Sequence, residues 1–449
     1  MSADASSLAV GPRNPRRSAR YIVAAIIAGL VLVALAISSV LDYLTLDKIP
    51  GRTALFGLPV IVLSAGATWV GIRAFEQDAV KRRRYRLWAA ALMGLAILLW
   101  LFIINLFIFT ADVGPEVAIL CTLAALPTTA FGLWAVRHFE RNQKEPWRIV
   151  LVAAAWGAVV ATSLVIWAET VWEYWAFRLL VPGPGLDAST AFSAGLFEEL
   201  AKGLAVLLLF LVMRNEFNGV VDGIVYGAAV GLGFNFMETI GYMTYLDSIF
   251  GPYAAGFQWY HRQVLDLFFG HAAYTALIGA GIGIARQLPE RRMQVIAITC
   301  GWLGATAGHF AWDAWLTFFP LGAGLQTLVQ VHLRVLLMNG PVVIGVVVLL
   351  VMGTRLESRA LERQLKLEAE TGLGAVLPWE VRMLSRPMRR FAFRVQALDH
   401  GPAAYVQAGR LQRAQLQLAL ERWHRERREI DSPLESETEL RARVIDLRR

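Results

Sequence analysis

Apolar residues run in long, nearly unbroken blocks from Tyr21 to Gly353, separated by short polar or basic breaks. A block of about 18 residues or more crosses ~30 Å of hydrocarbon as a helix. The pattern predicts about ten spans, near 21–41, 54–72, 86–109, 115–136, 148–170, 190–213, 219–245, 264–285, 293–318 and 331–353. After residue 353 the period changes. LESRALERQLKLEAE (356–370) and AAYVQAGRLQRAQLQLALERWHRERR (403–428) read as amphipathic helices, separated by Pro378 and Pro387. The expected fold is all-α: a polytopic transmembrane helix bundle of about ten spans with a soluble helical C-terminal tail. Its expected parts are a basic leader (1–20), a transmembrane core (21–353) and an Arg-rich helical tail (354–449).

Composition agrees with that pattern, since 56% of residues are hydrophobic and 17% charged, too greasy for a soluble chain. Charge then orients it. Arg13 to Arg20, Arg73 with Lys81 to Arg84, Arg137 to Arg148, Arg214, Arg286 to Arg292 and the tail from Arg355 make every second connection basic. The connections 110–114, 246–263 and 319–330 are nearly free of Lys and Arg. The positive-inside rule places both termini in the cytoplasm of a multi-pass cell-membrane protein. The net charge of +8 therefore needs no nucleic acid; loops facing anionic lipid account for it. The leader lacks a small-residue cleavage site, so the first apolar block reads as a true span. Cys121 and Cys300 fall near opposite faces, which argues against a disulfide or a two-cysteine metal site.

Spans one to four hold almost nothing ionisable and read as scaffold. The fifth carries Trp156, Trp167, Trp172 and Trp175, read as an aromatic belt, with a substrate-entry wall as the alternative. Spans six to nine differ, with Glu198, Glu199, Lys202, Asp222, Glu238, His271, His309 and Asp313. At ~1.5 Å per residue, Glu198 and Glu199 lie roughly 12–14 Å below the outer face, and Glu238 and His271 about 10 Å below it. His309 and Asp313 lie about 14 and 8 Å deep by the same rise. Asp222 sits near the inner end of its span and reads as a helix-start cap. Gly223, Gly227 and Gly231 recur every four residues, a spacing that lets helix backbones approach closely in lipid. His261 and Arg262 could meet a substrate or a lipid phosphate and read first as interfacial anchors, while Asn339 and His332 are polar enough to border a cavity.

A buried ion pair or a cross-helix hydrogen bond explains any one of these residues alone. A set on four helices at one depth points to chemistry. Glu198 and Lys202 share a helix face, and so do His309 and Asp313, where a carboxylate could orient an imidazole. Glu199 is rotated ~100° from Glu198, so both reach one cavity only if it is wide or one of them supports the other. Two kinds of hydrolysis fit. In one, a glutamate takes a proton from water while a histidine stabilises the oxyanion. In the other, His271, His309 and a carboxylate hold a divalent metal, zinc if any.

FEELAK (197–202), FNFME (234–238) followed by Tyr242, HAAYT (271–275) and HFAWD (309–313) resemble the PrsW-type intramembrane proteases. That family is related to the CAAX prenyl-endopeptidases and bacteriocin-processing or immunity proteins. The resemblance covers about residues 20–353 and is strongest from 192 to 316, within the catalytic helices at about 190–318. It implies peptide-bond hydrolysis of membrane-associated protein substrates, an anti-sigma factor in PrsW itself. By family pattern the paired glutamates are Glu198 and Glu199, with Lys202 where the broader group often has Arg. Glu238 is the second acidic position, and His271 and His309 are the histidine positions. Asp313 stands where the prenyl-protease branch usually has Asn, so an oxyanion role does not carry over to it. A proton-coupled transporter and a noncatalytic scaffold or immunity protein are the competing classes. The partners expected are a membrane protein or peptide and the lipid bilayer.

Overall fold

The computed structural model of the chain describes residues 15–45, 50–73, 79–109, 113–142, 144–213, 217–319, 325–426 and 436–448. Arg13, Arg214 and positions 320–324 of one predicted connection lie outside the described residues. All secondary structure among the described residues is helical. Many helices start where the sequence offers a proline, whose missing N–H and fixed φ suit the first helical position. Pro50, Pro115, Pro184, Pro252, Pro378, Pro387 and Pro402 each stand first in their helix.

Two compact units emerge. The larger comprises Val33–Leu207 and Asn218–Arg355. Its elements begin with α1 (Pro15–Thr45, shared with the other unit), α2 (Pro50–Ile72), α3 (Ala79–Phe109) and α4 (Pro115–Phe139). A long helix follows as α5 (Trp147–Ala155) and α6 (Thr162–Leu179), joined by a π-helical turn at Trp156–Ala161. Next come α7 (Pro184–Val212, in the other unit from Leu208), α8 (Val220–Phe250) and α9 (Pro252–Tyr260), then a π turn at His261–Leu265. The unit closes with α10 (His271–Gln287), α11 (Arg291–Phe318), α12 (Leu325–Arg334), a π turn at Val335–Asn339 and α13 (Gly340–Glu370), which belongs to the other unit from Leu356.

The centre of this unit is α8, buried without a break from Val220 to Asn235. Glycines set the distance to its neighbours. A Cβ on Gly227 would overlap the carbonyl of Thr275, and one on Gly231 the carbonyl of His271, so α8 and α10 touch backbone to backbone. This is the close approach that the four-residue glycine spacing predicts. On the other side, Gly157 in the first π turn abuts the Val230 carbonyl. Backbone groups freed by that turn are met by Asn105 Nδ2, which donates to Val159 O at 3.1 Å, and by the Ser163 hydroxyl at 2.8 Å.

Seven helices among the described residues are long and apolar enough to cross a membrane. The expectation is about ten, and the difference has local causes. Every 18-residue window of α7 contains at least three of Asp187, Glu198, Glu199 and Lys202, so its own polar residues disqualify it. The predicted span 264–285 is helical as α10 only from His271, after a turn at 266–270. In α2 the described apolar stretch is short, Ile61–Ile72. The chain is a multi-pass membrane protein.

The second unit comprises Met1–Leu32, Leu208–Phe217 and Leu356–Arg449. It holds α14 (Pro378–Leu384), α15 (Pro387–Gln396), a 3-10 turn at Ala397–His400, α16 (Pro402–Glu426) and α17 (Glu437–Arg448). Leu361, Leu365, Val376, Val381, Leu384, Leu416 and Leu420 form one core, and Ala375, Leu418, Leu440 and Val444 another. The buried Glu368 pairs with Arg422 and, at 2.7 Å, with Arg441 Nε.

Candidate active site

Four helices bring carboxylates and imidazoles to one point in the larger unit. Helical periodicity on α7 turns Glu198 and Glu199 apart. Glu198 borders a cavity of about 600 Å³. Glu199 is sealed behind it at 0% exposure, accepting from Thr275 Oγ1 at 3.3 Å, while its backbone carbonyl takes the Trp302 indole N–H at 3.0 Å. Lys202, one turn on and also at 0% exposure, places Nζ 2.6 Å from Glu199 Oε1 and 3.1 Å from Glu198 Oε2. It lies 4.2 Å from the centre of the Phe234 ring and 2.9 Å from His271 Nδ1.

His271 is the first residue of α10, placed by the preceding turn rather than by several helical residues of descent. Because a lysine ammonium only donates, His271 Nδ1 accepts from Lys202. Its Nε2 then carries the proton and faces Glu238 Oε2 at 2.6 Å. His309 on α11 points Nδ1 at Glu199 Oε1 (3.1 Å) and Nε2 at both Glu198 Oε2 (3.7 Å) and Asp313 Oδ2 (3.4 Å). Its ring stacks on Tyr274 at 5.0 Å and 19°. Asn339, from the third π turn, receives the Tyr274 hydroxyl and donates to Asp266 Oδ1 at 2.9 Å. Glu198, Glu199, Lys202, Glu238, His271, His309 and Asp313 are thus brought together. Asp222 lies apart, taking the Asn218 backbone N–H at 2.6 Å just before α8, as a helix-start cap would.

Several residues belong to the site that sequence reasoning placed elsewhere. Arg262, expected as an interfacial anchor, borders the cavity and grips Glu238 with both terminal nitrogens, at 2.8 and 3.2 Å. It also lies 4.0 Å from the Tyr242 ring. His261 enters the same wall, stacked on Trp312. Glu169 and Glu173 line the cavity from α6, and no sequence signal singled them out except their position in a long apolar helix. The aromatic belt needs a correction too. Trp156 Nε1 donates to Ala201 O at 3.1 Å and Trp172 Nε1 to Ser189 O at 3.2 Å, so both pin α7 in place, while Trp175 faces outward. His332 meets Tyr260 at 3.1 Å, away from the cavity wall.

Glu198, Glu199, His271 and His309 each offer an atom within 4.8 Å of the others. Lys202 stands among them, however, and both nitrogens of His271 are engaged. His309 Nε2 is the imidazole nitrogen left without a hydrogen bond from the cluster, 3.7 Å from Glu198 Oε2 and 3.4 Å from Asp313 Oδ2, itself a buried oxygen that makes no hydrogen bond. The imidazole of His309 and the carboxylate of Asp313 fit the donor chemistry of a zinc-type ion, with Glu198 beside them.

Residues 145–352 match the family model of the PrsW family intramembrane metalloproteases, a stretch that includes every residue of the cluster. No curated protein and no solved structure matches the chain.

Proposed function

We propose, for a chain whose residues 145–352 form a PrsW-type intramembrane protease domain, that Glu198 is the general base of peptide-bond hydrolysis. The observation that carries this reading is the division between the two glutamates. Glu198 Oε2 borders the cavity, 3.7 Å from His309 Nε2, whereas Glu199 is shut behind it. A water in the cavity next to Glu198 loses its proton to that carboxylate and attacks the scissile carbonyl; Glu198 then returns the proton to the leaving amine. Glu199 accepts from His309 Nδ1–H and so fixes the imidazole with Nε2 toward the reacting atoms. Protonated, Nε2 donates to the oxyanion. Lys202 and Arg262 hold the carboxylates in place, and His271 ties Lys202 to Glu238.

His309 and Asp313, beside Glu198, would hold a zinc-type ion, which when bound supplies Lewis acidity to the water and the carbonyl. The substrate class we assign is a membrane-associated protein cut within or beside its span, with an anti-sigma factor as the family precedent. Cavity-lining residues run to Val113, in the connection between α3 and α4, and to Glu173, Tyr245 and Thr317 toward the ends of their helices, so the peptide enters from that end. The test is cleavage of a single-span peptide by the reconstituted chain. Glu198→Gln should lose 10²–10⁴-fold in kcat, the usual range for a general base, and Glu199→Gln about 10–100-fold, as for a supporting carboxylate. Full turnover by Glu198→Gln would sink the assignment.

A further inference from the structure

We propose that Glu169 and Glu173 on α6 form a subsite for a lysine or arginine side chain of the substrate, making this a protease that selects a basic residue near the bond it cuts. The inference rests on the protease reading and deepens it. Both glutamates line the cavity that contains Glu198 and His309, and four residues apart they share one face of α6. The cations of the cavity are already engaged. Lys202 is held by Glu198 and Glu199, and Arg262 by both oxygens of Glu238. Among the described residues no cation pairs with Glu169 or Glu173, and Glu169 Oε1 is sealed from water with no hydrogen-bond partner.

A second group points to the same absent occupant. His261 is 8% exposed, its ring stacks on Trp312 at 5.4 Å and 18°, and its Nε2 makes no hydrogen bond. It belongs to the same cavity wall. Buried polar groups are nearly always satisfied, and each exception asks for a partner. A polar ligand group entering the cavity supplies one. The remaining wall tells which kind. Ile108, Val165 and Ile166 suit the methylene stem of a long side chain, and the two carboxylates suit its charged head. A cavity of about 600 Å³ has room for that side chain beside the scissile peptide. Glu169 and Glu173 set specificity in this account and do not touch the reacting atoms.

The experiment uses the full chain in liposomes and single-span peptides that differ at one position, scanned across the segment beside the span as Lys, Met or Glu. At one position wild type should prefer Lys over Met by roughly tenfold to a hundredfold in kcat/KM, as for a hydrogen-bonded charge. Glu169→Gln and Glu173→Gln should each move that ratio toward one, chiefly through KM, and Glu169→Lys should favour the Glu peptide. Cleavage by wild type with no preference for Lys at any position overturns the subsite and leaves the protease reading intact. Binding gives a readout that needs no cleavage. In the Glu198→Gln background a fluorescent Lys peptide should bind at least tenfold tighter than its Met counterpart, and the difference should vanish with Glu169→Gln. Equal binding of the two peptides overturns the proposal whether or not the chain cuts.

Discussion

Replacing Lys202 by Met keeps the length of the side chain and removes its charge, at the one point where three polar groups of the cluster meet. Nζ lies 2.6 Å from Glu199 Oε1, 3.1 Å from Glu198 Oε2 and 2.9 Å from His271 Nδ1, with the side chain at 0% exposure. Glu198 and His271 border the cavity, but nothing can rehydrate Glu199. Glu199, also at 0%, would keep only His309 and Thr275. Removing one partner of a buried pair leaves the other charge uncompensated, a loss of about 3–5 kcal/mol. Because two carboxylates share this one ammonium, the upper half of that range is expected. The paired control is Lys202→Met with Glu199→Gln, which removes one charge of each sign. It should recover about 1–3 kcal/mol relative to Lys202→Met alone, the coupling that neighbours in one network show. Reversible unfolding in mixed micelles measures both variants. A Lys202→Met protein within about 1 kcal/mol of wild type, or a double variant less stable than the single, would refute a buried ion cluster.

Three shorter predictions follow from the same geometry. Arg262→Met removes both contacts to Glu238 and should lower kcat/KM by about 10–100-fold, as loss of a supporting residue does; an unchanged value would return Arg262 to the role of an interfacial anchor. After zinc loading, metal content measured by elemental analysis should fall in His309→Ala and Asp313→Ala but persist in His271→Ala, whose nitrogens face Lys202 and Glu238; equal loss in all three would disprove the ligand assignment. A cysteine placed at Asn142, in a background without Cys121 and Cys300, should react with a membrane-impermeant thiol reagent only from the cytoplasmic side. Labelling from outside would reverse the proposed orientation.

The helices of the site were legible because charged residues stand out inside apolar blocks. FEELAK and HFAWD interrupt α7 and α11 where nothing else charged occurs nearby, and the four-residue glycine spacing foretold a close backbone approach, which α8 makes with α10. The hidden residues have one physical cause. Hydropathy windows assume that polar stretches lie outside the membrane, so 246–263 read as a loop and took His261 and Arg262 with it. In the structure that stretch is the end of α8, then α9 and a π turn, and the turn at 266–270 brings the chain to the cluster. Asn235 Nδ2 holds the Arg262 carbonyl at 3.2 Å and Gln263 reaches Thr239 and Thr128, contacts between distant segments that no local pattern encodes. The split between Glu198 and Glu199 was equally invisible. Adjacent residues differ only by a rotation, and which of them meets the cavity depends on where α10 and α11 lie.

Charge accounts for the site as a whole. Glu198, Glu199, Glu238 and Asp313 are four carboxylates close to two fixed cations, Lys202 and Arg262, and Glu169 and Glu173 line the same cavity. Lys202 is drawn closer to Glu199 than to Glu198, so the carboxylate left under-compensated is the one that faces the cavity. Charges removed from water interact far more strongly than exposed ones, so an excess of negative charge here favours whatever positive species can reach it. Three can: the proton given up by water, a divalent ion at His309 and Asp313, and the basic side chain of a peptide. General-base action, metal affinity and a preference for basic substrates then share one electrostatic origin. They remain separable, because each uses a different carboxylate: Glu198 for the proton, Asp313 for the ion, Glu169 for the side chain. Neutralising them one at a time should dissect three properties from one cavity, and a single substitution that removed all three would show that the excess charge acts as an undivided field.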